Sequence, residues 1–336
     1  TYKFRSFKMK KQLLIAAVAA TMTSAAMADI SIAGDAKFEY FNTDAAATEA
    51  VASTNTEVNI KITAKNGDTT VVLNNEFNSS SAAGAGMDTE DMYMTTKIGD
   101  VSVKAGNWST GTSAILGEID AGGRAQDKVS LSTSMGGIKV AYAVAESGSQ
   151  LNSDASSVTI STNVAGFDVV LKDDSDSYTG YGISGDVAGF GVRLEQKNSD
   201  TANSDVTFGN ITKDVNGVTL GYAWIDADAG SLVSEGDGMF AVSMNDTDSS
   251  TIGTRGALAT GVQQVTLATT VAGNTVNFRT GSIENGIATG TDLDFSKVTV
   301  TRALAAGSSL ELSLQDVDTG ASASTETFEA QLSVKF

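Results

Sequence analysis

The side chains that could do chemistry in this chain are almost all carboxylates. Its 336 residues include 40 Asp and Glu against 22 Lys and Arg, with no His, no Cys and no Pro. A zinc finger, a thiol nucleophile, a c-type haem site and a Ser-His-Asp triad each need a residue type that is missing. Hard-oxygen chemistry is left: Asp173-Asp174-Ser175-Asp176, Asp226-Ala227-Asp228 and Asn245-Asp246-Thr247-Asp248 could coordinate Ca²⁺. None has the spacing of an EF-hand loop or of the calcium-binding nonapeptide repeat. Solvated loops are the expectation there, with no metal site and no cofactor. Carboxylate pairs are so abundant that no one pair marks a glycosidase. There is no G-x-x-x-x-G-K-[ST] loop and no strand–GxGxxG–helix unit. An enzyme is not expected.

The informative charges are those that alternate with apolar residues, and the alternation defines the elements that carry them. Ile30, Ile32, Ala36, Phe38 and Tyr40 share one parity, with Ser31, Asp35, Lys37 and Glu39 on the other. Val58, Ile60, Ile62 and Ala64 likewise oppose Glu57, Asn59, Lys61 and Thr63. The pattern returns at Ile138–Val144, at Val218–Trp224 and at Phe328–Phe336. A period of two means half-buried strands. Glycines open a strand at Gly137, Gly166, Gly189, Gly217 and Gly273, spaced 29, 23, 28 and 56 apart. Similar turns lie at Asn66-Gly67-Asp68, at Gly99-Asp100 and at Ala306-Gly307-Ser308. Such turns need positive φ, which Gly and Asn-Gly supply. Eight short turns joining strand pairs, plus one strand at each terminus, make 18 strands. The other connections are longer and polar: 42–55, 79–89, 108–126, 147–154, 227–237 and 318–324. The interval 227–261 fits either a long loop or a further strand pair.

The beginning of the chain reads differently. Residues 9–28 hold Met9-Lys10-Lys11, an apolar run Leu13–Ala20 and an ending Ala26-Met27-Ala28. That is the order of a secretory signal peptide, with cleavage between Ala28 and Asp29. Thr1–Lys8 read as upstream residues. Removing residues 1–28 takes five basic and no acidic residues, which leaves 17 against 40 and a net charge of −23. Such a field repels nucleic acid and favours cations. No later apolar run approaches the length of a membrane-spanning helix.

Strands of about 10 residues, short turns at one end and long loops at the other describe a transmembrane antiparallel β-barrel. Residues 29–336 are expected to form one such domain, with short periplasmic turns and long extracellular loops. A Lys or Arg facing lipid at the bilayer midplane costs roughly 2–4 kcal/mol. Lys37, Lys61, Lys139, Arg193 and Lys335 should therefore face a water-filled lumen. Tyr40, Phe41, Tyr93, Trp108, Tyr142, Phe167, Phe190, Tyr222, Trp224, Phe328 and Phe336 lie near strand ends, which fits interfacial girdles.

Four stretches are similar to a known family. Ile32–Phe41 looks like a first strand, Glu90–Gly106 like the hairpin before a constriction loop, Val129–Ala143 like the hairpin after it, and Phe328–Phe336 like a C-terminal strand with terminal Phe. Together they resemble a Gram-negative outer-membrane porin of the general diffusion type. The resemblance implies a homotrimer of barrels, usually 16-stranded, so that 16 to 18 strands are expected. It implies that Trp108–Gln126 folds into the barrel as a constriction loop, with Glu118, Asp120 and Arg124 at the narrowest point. It implies pore-wall roles for Lys37, Lys61, Lys104, Lys128 and Arg279. Asp35 and Asp91 put acids where the family often has bases, which points to cation preference. Phe336 becomes the signal read by the barrel-assembly machinery, and lipid and lipopolysaccharide become the surroundings.

The expected function is passive diffusion of small hydrophilic solutes and cations across the outer membrane. Its alternative is a non-channel structural or adhesive surface β protein. A sugar-specific pore would need an inward aromatic track, and none is visible in the sequence.

Overall fold

The alternating segments pair with their chain neighbours all the way round. The computed structural model describes residues 29–45, 48–80, 84–108, 126–147, 150–175, 177–228, 259–285, 292–305, 307–318 and 324–336. The expected signal peptide, including Ala28, lies outside these residues. The first strands are β1 (Asp29–Ala45), β2 (Thr48–Asn66), β3 (Thr69–Ser80), β4 (Gly84–Ile98), β5 (Val101–Trp108) and β6 (Gln126–Met135). They are followed by β7 (Ile138–Ser147), β8 (Gln150–Val164), β9 (Phe167–Asp174), β10 (Tyr178–Val187), β11 (Phe190–Ser199) and β12 (Val206–Val215). The last are β13 (Val218–Ala227), β14 (Ala259–Val271), β15 (Asn274–Asn285), β16 (Leu293–Ala303), β17 (Ser308–Asp318) and β18 (Thr325–Lys335). Each strand is antiparallel to the next, and β1 pairs with both β2 and β18. The sheet is a closed 18-stranded barrel, so the turn count was the better guide and the 16-strand expectation is corrected.

Closure satisfies every edge, which removes the unpaired N–H and C=O groups that lipid could not hydrogen-bond. At the seam Phe336 and Gly34 exchange two backbone hydrogen bonds of 2.9 Å. The Phe336 ring lies over Gly34, where a Cβ would fall 2.8 Å from the ring and 2.2 Å from the Asn59 carbonyl oxygen.

The short turns are where the glycines placed them. Ala165-Gly166, Ala188-Gly189, Asn216-Gly217 and Ala272-Gly273 all have both residues at positive φ. This is the turn whose twist matches that of the flanking strands.

The opposite end departs from expectation. Most of 42–55, 79–89 and 147–154 is strand, because β1 to β4, β7 and β8 run on past the apolar band. Beyond the membrane both faces of a strand meet water, so hydropathy alternation fades while the hydrogen-bond ladder continues. β13 pairs directly with β14, so no further strand lies between them, and most of the interval 227–261 lies outside the described residues.

Lateral rows identify the two faces. One row runs Tyr40, Ala330, Leu312, Val300 and Val276, apolar throughout. The adjacent row runs Glu39, Gln331, Glu311, Thr301 and Thr275, polar throughout. Ile32, Phe38, Tyr142, Leu194, Tyr222, Leu267 and Phe328 share the apolar surface and are exposed. An apolar exterior of this extent is stable only in a bilayer. The polar rows face the lumen.

Candidate functional site

The pairing creates a continuous polar inner wall, and it is built in arcs. On β1, β2 and β3 it is acidic. Lys37 Nζ bridges Glu57 at 2.8 Å and Glu39 at 3.4 Å. Asn55 donates to Glu39 at 2.9 Å, and Asn59 donates to Glu57 at 2.7 Å and to Asp35 at 3.3 Å. Asn78 holds Glu76 at 3.0 Å. The arc continues onto β16–β18, where Ser313 donates to Glu329 at 3.2 Å and Lys297 lies 3.9 Å from it. Thr301 donates to Glu311 at 2.9 Å. Charge-assisted bonds of this kind hold carboxylates in fixed positions along the wall.

Lys61 lies beside this arc, in the lateral row Ala33, Lys61, Asn74 and Asp91. A recess of about 490 Å³ opens there, bounded by Asp35, Lys61, Glu76, Glu90 and Lys335 among others. Glu90 enters it through a β-bulge: Asn74 pairs with Asp91 but Asn75 pairs with Thr89. The extra residue turns the β4 wall locally, as bulges do.

On β4–β6 the wall becomes cationic and aromatic. Tyr93 and Trp108 meet edge to face, 6.2 Å between centroids and 71° between planes. Lys104 Nζ lies 3.8 Å from the Tyr93 centroid and 4.3 Å from that of Trp108. Lys128 Nζ is 5.1 Å from Trp108. A second such group sits on β9–β12. Lys172 and Lys197 lie 4.9 and 4.7 Å from the Tyr178 ring, and Arg193 is 5.4 Å from Phe208. Lys172 also bridges Asp174 at 3.3 Å, and Arg193 bridges the buried Glu195.

The remaining arc is apolar although it belongs to the same inward rows. Glu195 on β11 leads laterally to Phe208, Ile225, Val262 and Ile283. Gly281 leads to Phe295 and Val317 in the next row. These six apolar side chains are at most 3 % exposed.

No protein-family model matches the sequence, and no curated protein matches it either. Solved structures do match. Pseudomonas aeruginosa OpdQ aligns with a TM-score of 0.64 at 8% identity, over 92% of this chain and 99% of its own. Acinetobacter baumannii OccAB4 aligns at 0.62 and 10%, over 92% and 98%. Pseudomonas aeruginosa OccK2 (OpdF), solved with glucuronate, aligns at 0.61 and 11%, over 92% and 98%. The fold is that of an outer-membrane porin. At these identities the likeness is one of fold alone.

The expected wall residues are partly brought together. Asp35, Lys37, Lys61 and Asp91 share the inner face of β1–β4, and Lys104 and Lys128 converge on Trp108 from β5 and β6. Arg279 stands apart on β15, directly across from Lys297. Glu118, Asp120 and Arg124 lie outside the described residues. Two expectations are corrected. Phe41, Tyr93 and Trp108 are not girdle residues, because their rows continue into Glu329, Val72 and Gln126 on the luminal side. Nor does the lumen lack aromatics, since Tyr93, Trp108, Tyr178, Phe208 and Phe295 all face it. Tyr178 shares parity with Gly180 and Gly182, so the signal was present in the sequence but easily missed. Tyr222 and Trp224 do face outward and stack at 5.6 Å.

The acid-rich stretches serve as ties where they are described. Asp205 Oδ1 accepts from the Ser199 amide at 2.8 Å, and Asp228 Oδ2 from the Asp205 amide at 3.2 Å. Among the described residues no three acids converge on a metal-sized site.

Proposed function

We propose that the barrel is a water-filled channel of the Gram-negative outer membrane, through which small hydrophilic solutes diffuse passively. The observation that carries this reading is the inner wall: charged and hydrogen-bonding rows line β1–β11 while the exterior is apolar. Barrels of 16–18 strands are wide enough to leave an aqueous channel. Fixed charges then bias passage by sign, and the narrowest cross-section sieves by size. No step needs an energy source or a bond change.

The excess of acids on the inward rows of β1–β3 supports a preference for cations. Trp108–Gln126 is the segment proposed to narrow the lumen, with Glu118, Asp120 and Arg124 presented to solutes. The buried apolar arc on β12–β17 supports an obstructed lumen, since side chains facing open water would not be withheld from it. Lipid and lipopolysaccharide surround the barrel in this reading, and Phe336 at the seam is what the assembly machinery would engage. The proposed trimer is checked by native mass measurement in detergent: three chains support it, one chain overturns it.

Planar-bilayer recording of residues 29–336 under a KCl gradient tests the channel. Stepwise conductance with a reversal potential favouring K⁺ is expected. Folded barrels that give no steps would remove the channel reading, and a Cl⁻-favouring potential would remove the cation preference alone.

A second reading, a pore selective for ring-bearing solutes, is favoured by the luminal Tyr93–Trp108 and Tyr178 groups. A barrel of similar fold binds glucuronate. Liposome swelling separates the two readings. A plain sieve passes sugars and sugar acids in order of size, whereas a selective pore passes one class out of order.

A further inference from the structure

We propose that Tyr93, Trp108 and Tyr178 are positioning residues that set the ion selectivity of the lumen by holding lysines flat against its wall. The inference rests on the channel reading above.

Lumen cations are held in two different ways. Lys37 and Lys297 are held by carboxylates, at 2.8 and 3.9 Å, and their charge is offset where it stands. Lys104 and Lys197 make no ion pair among the described residues. Each is held instead by a neutral ring, at 3.8 Å from Tyr93 and 4.7 Å from Tyr178. A ring attracts an ammonium through its quadrupole without cancelling the charge. The positive field therefore stays at the wall, at a fixed place, and the long side chain is kept out of the passage.

The backbone prepares both seats. In the row Lys172, Gly180 and Lys197, the central position carries no side chain of its own. In the neighbouring row Asp174, Tyr178 and Ser199, the Tyr178 ring lies within 4.9 Å of both ammonium groups. At the other seat Gly106 lies between Tyr93 and Lys128. Its φ of 130° and a would-be Cβ only 2.2 Å from the Met92 carbonyl oxygen exclude a side chain there. Tyr93, Trp108 and the two lysines close over that bare backbone. The same device thus occurs twice, on strand groups separated by β7 and β8, each time across a glycine.

A lysine released from its ring would be free to swing to a carboxylate, Asp91 for Lys104 and Asp174 or Glu195 for Lys197. The local site for anions would be lost, and the K⁺/Cl⁻ permeability ratio would rise by about two- to threefold, the population shift that a weak cation–π contact can hold.

The test compares Tyr178→Leu and Tyr93→Leu with Tyr178→Phe and Tyr93→Phe. Each barrel is reductively methylated at lysine with ¹³C, which preserves charge, and examined in detergent by NMR. Lys104→Arg and Lys197→Arg assign the two signals. In the parent protein both dimethyl-lysine resonances should lie upfield through the ring current. The Phe variants should keep that shift and the parent reversal potential. Tyr178→Leu should lose both, and Tyr93→Leu should lose the parent reversal potential and the part of the Lys104 shift that Trp108, 4.3 Å away, does not supply. Unshifted resonances in the parent, or Leu variants whose reversal potentials match those of Phe, would overturn the proposal. If one Leu variant fails to fold, the other seat decides. The ring-current readout needs no conductance, so failure of the channel reading and failure of this inference are seen separately.

Discussion

The inner wall has two halves with the same backbone and opposite chemistry. From β1 to β6 its inward positions are Asp35, Lys37, Glu57, Lys61, Lys104 and similar residues, half-open to the lumen. From β12 to β17 they include Phe208, Ile225, Val262, Ile283, Phe295 and Val317, closed to solvent. Both halves are built from the same antiparallel ladder of neighbouring strands. The pairing pattern makes the barrel, and the inward side chains are then free to serve either as a wetted wall or as a packing surface. Arg193 and Glu195 mark the boundary: a buried ion pair with an aromatic neighbour on one side and polar wall on the other.

The sharpest way to break this contrast is to make the same kind of truncation in each half. Phe208→Ala should lower stability by about 3–5 kcal/mol, through lost burial and a residual cavity. Lys61→Ala should stay within about 0.5 kcal/mol, as surface substitutions do. Denaturant unfolding in lipid vesicles measures both, and equal effects would dissolve the distinction. At the boundary, Arg193→Met leaves the Glu195 carboxylate buried without its guanidinium. A loss of about 3 kcal/mol is expected, and Glu195→Gln added to it should restore part of that loss.

In the wetted half the consequence should move from stability to selectivity. Lys37→Met removes the cation between Glu39 and Glu57, at a cost of about 1 kcal/mol for a partly screened pair. Its larger signature is a reversal potential shifted toward K⁺, which Phe208→Ala should not produce in barrels that fold. The smallest effect lies outside both halves. Ala272 sits at φ 51°, a region that Asn tolerates better than Ala. Ala272→Asn should raise stability by roughly 0.5–1 kcal/mol and leave the reversal potential unchanged.

Much of the barrel was legible beforehand. The turns at Gly67, Gly99, Gly137, Gly166, Gly189, Gly217, Gly273 and Gly307 all join consecutive strands, and they count to the observed 18. Parity placed Lys37, Lys61, Lys139, Arg193 and Lys335 on the luminal rows. Parity also held information that aromatic clustering obscured: Phe41 shares its face with Asp35, and Trp108 shares its face with Lys104. Nearness to a strand end was a weaker signal than the face on which a ring stands. The run Tyr222-Ala223-Trp224-Ile225, apolar on both faces, already hinted that β13 does not border open water on either side.

What the amino-acid order alone determined was therefore local and periodic: where strands run, where they turn and which side chains share a face. Those follow from the two-residue repeat of a pleated strand and from the few residues that accept positive φ. Only the closed barrel decided which side chains from different strands meet. Lys172, Gly180 and Lys197 lie on three consecutive strands and become neighbours through register. Glu90 enters its recess through a bulge that no composition signals. Phe208, Val262 and Val317 come from three strands and are buried only in the assembled sheet. Contacts between strands are set by register and curvature, and these belong to the whole sheet rather than to any one segment.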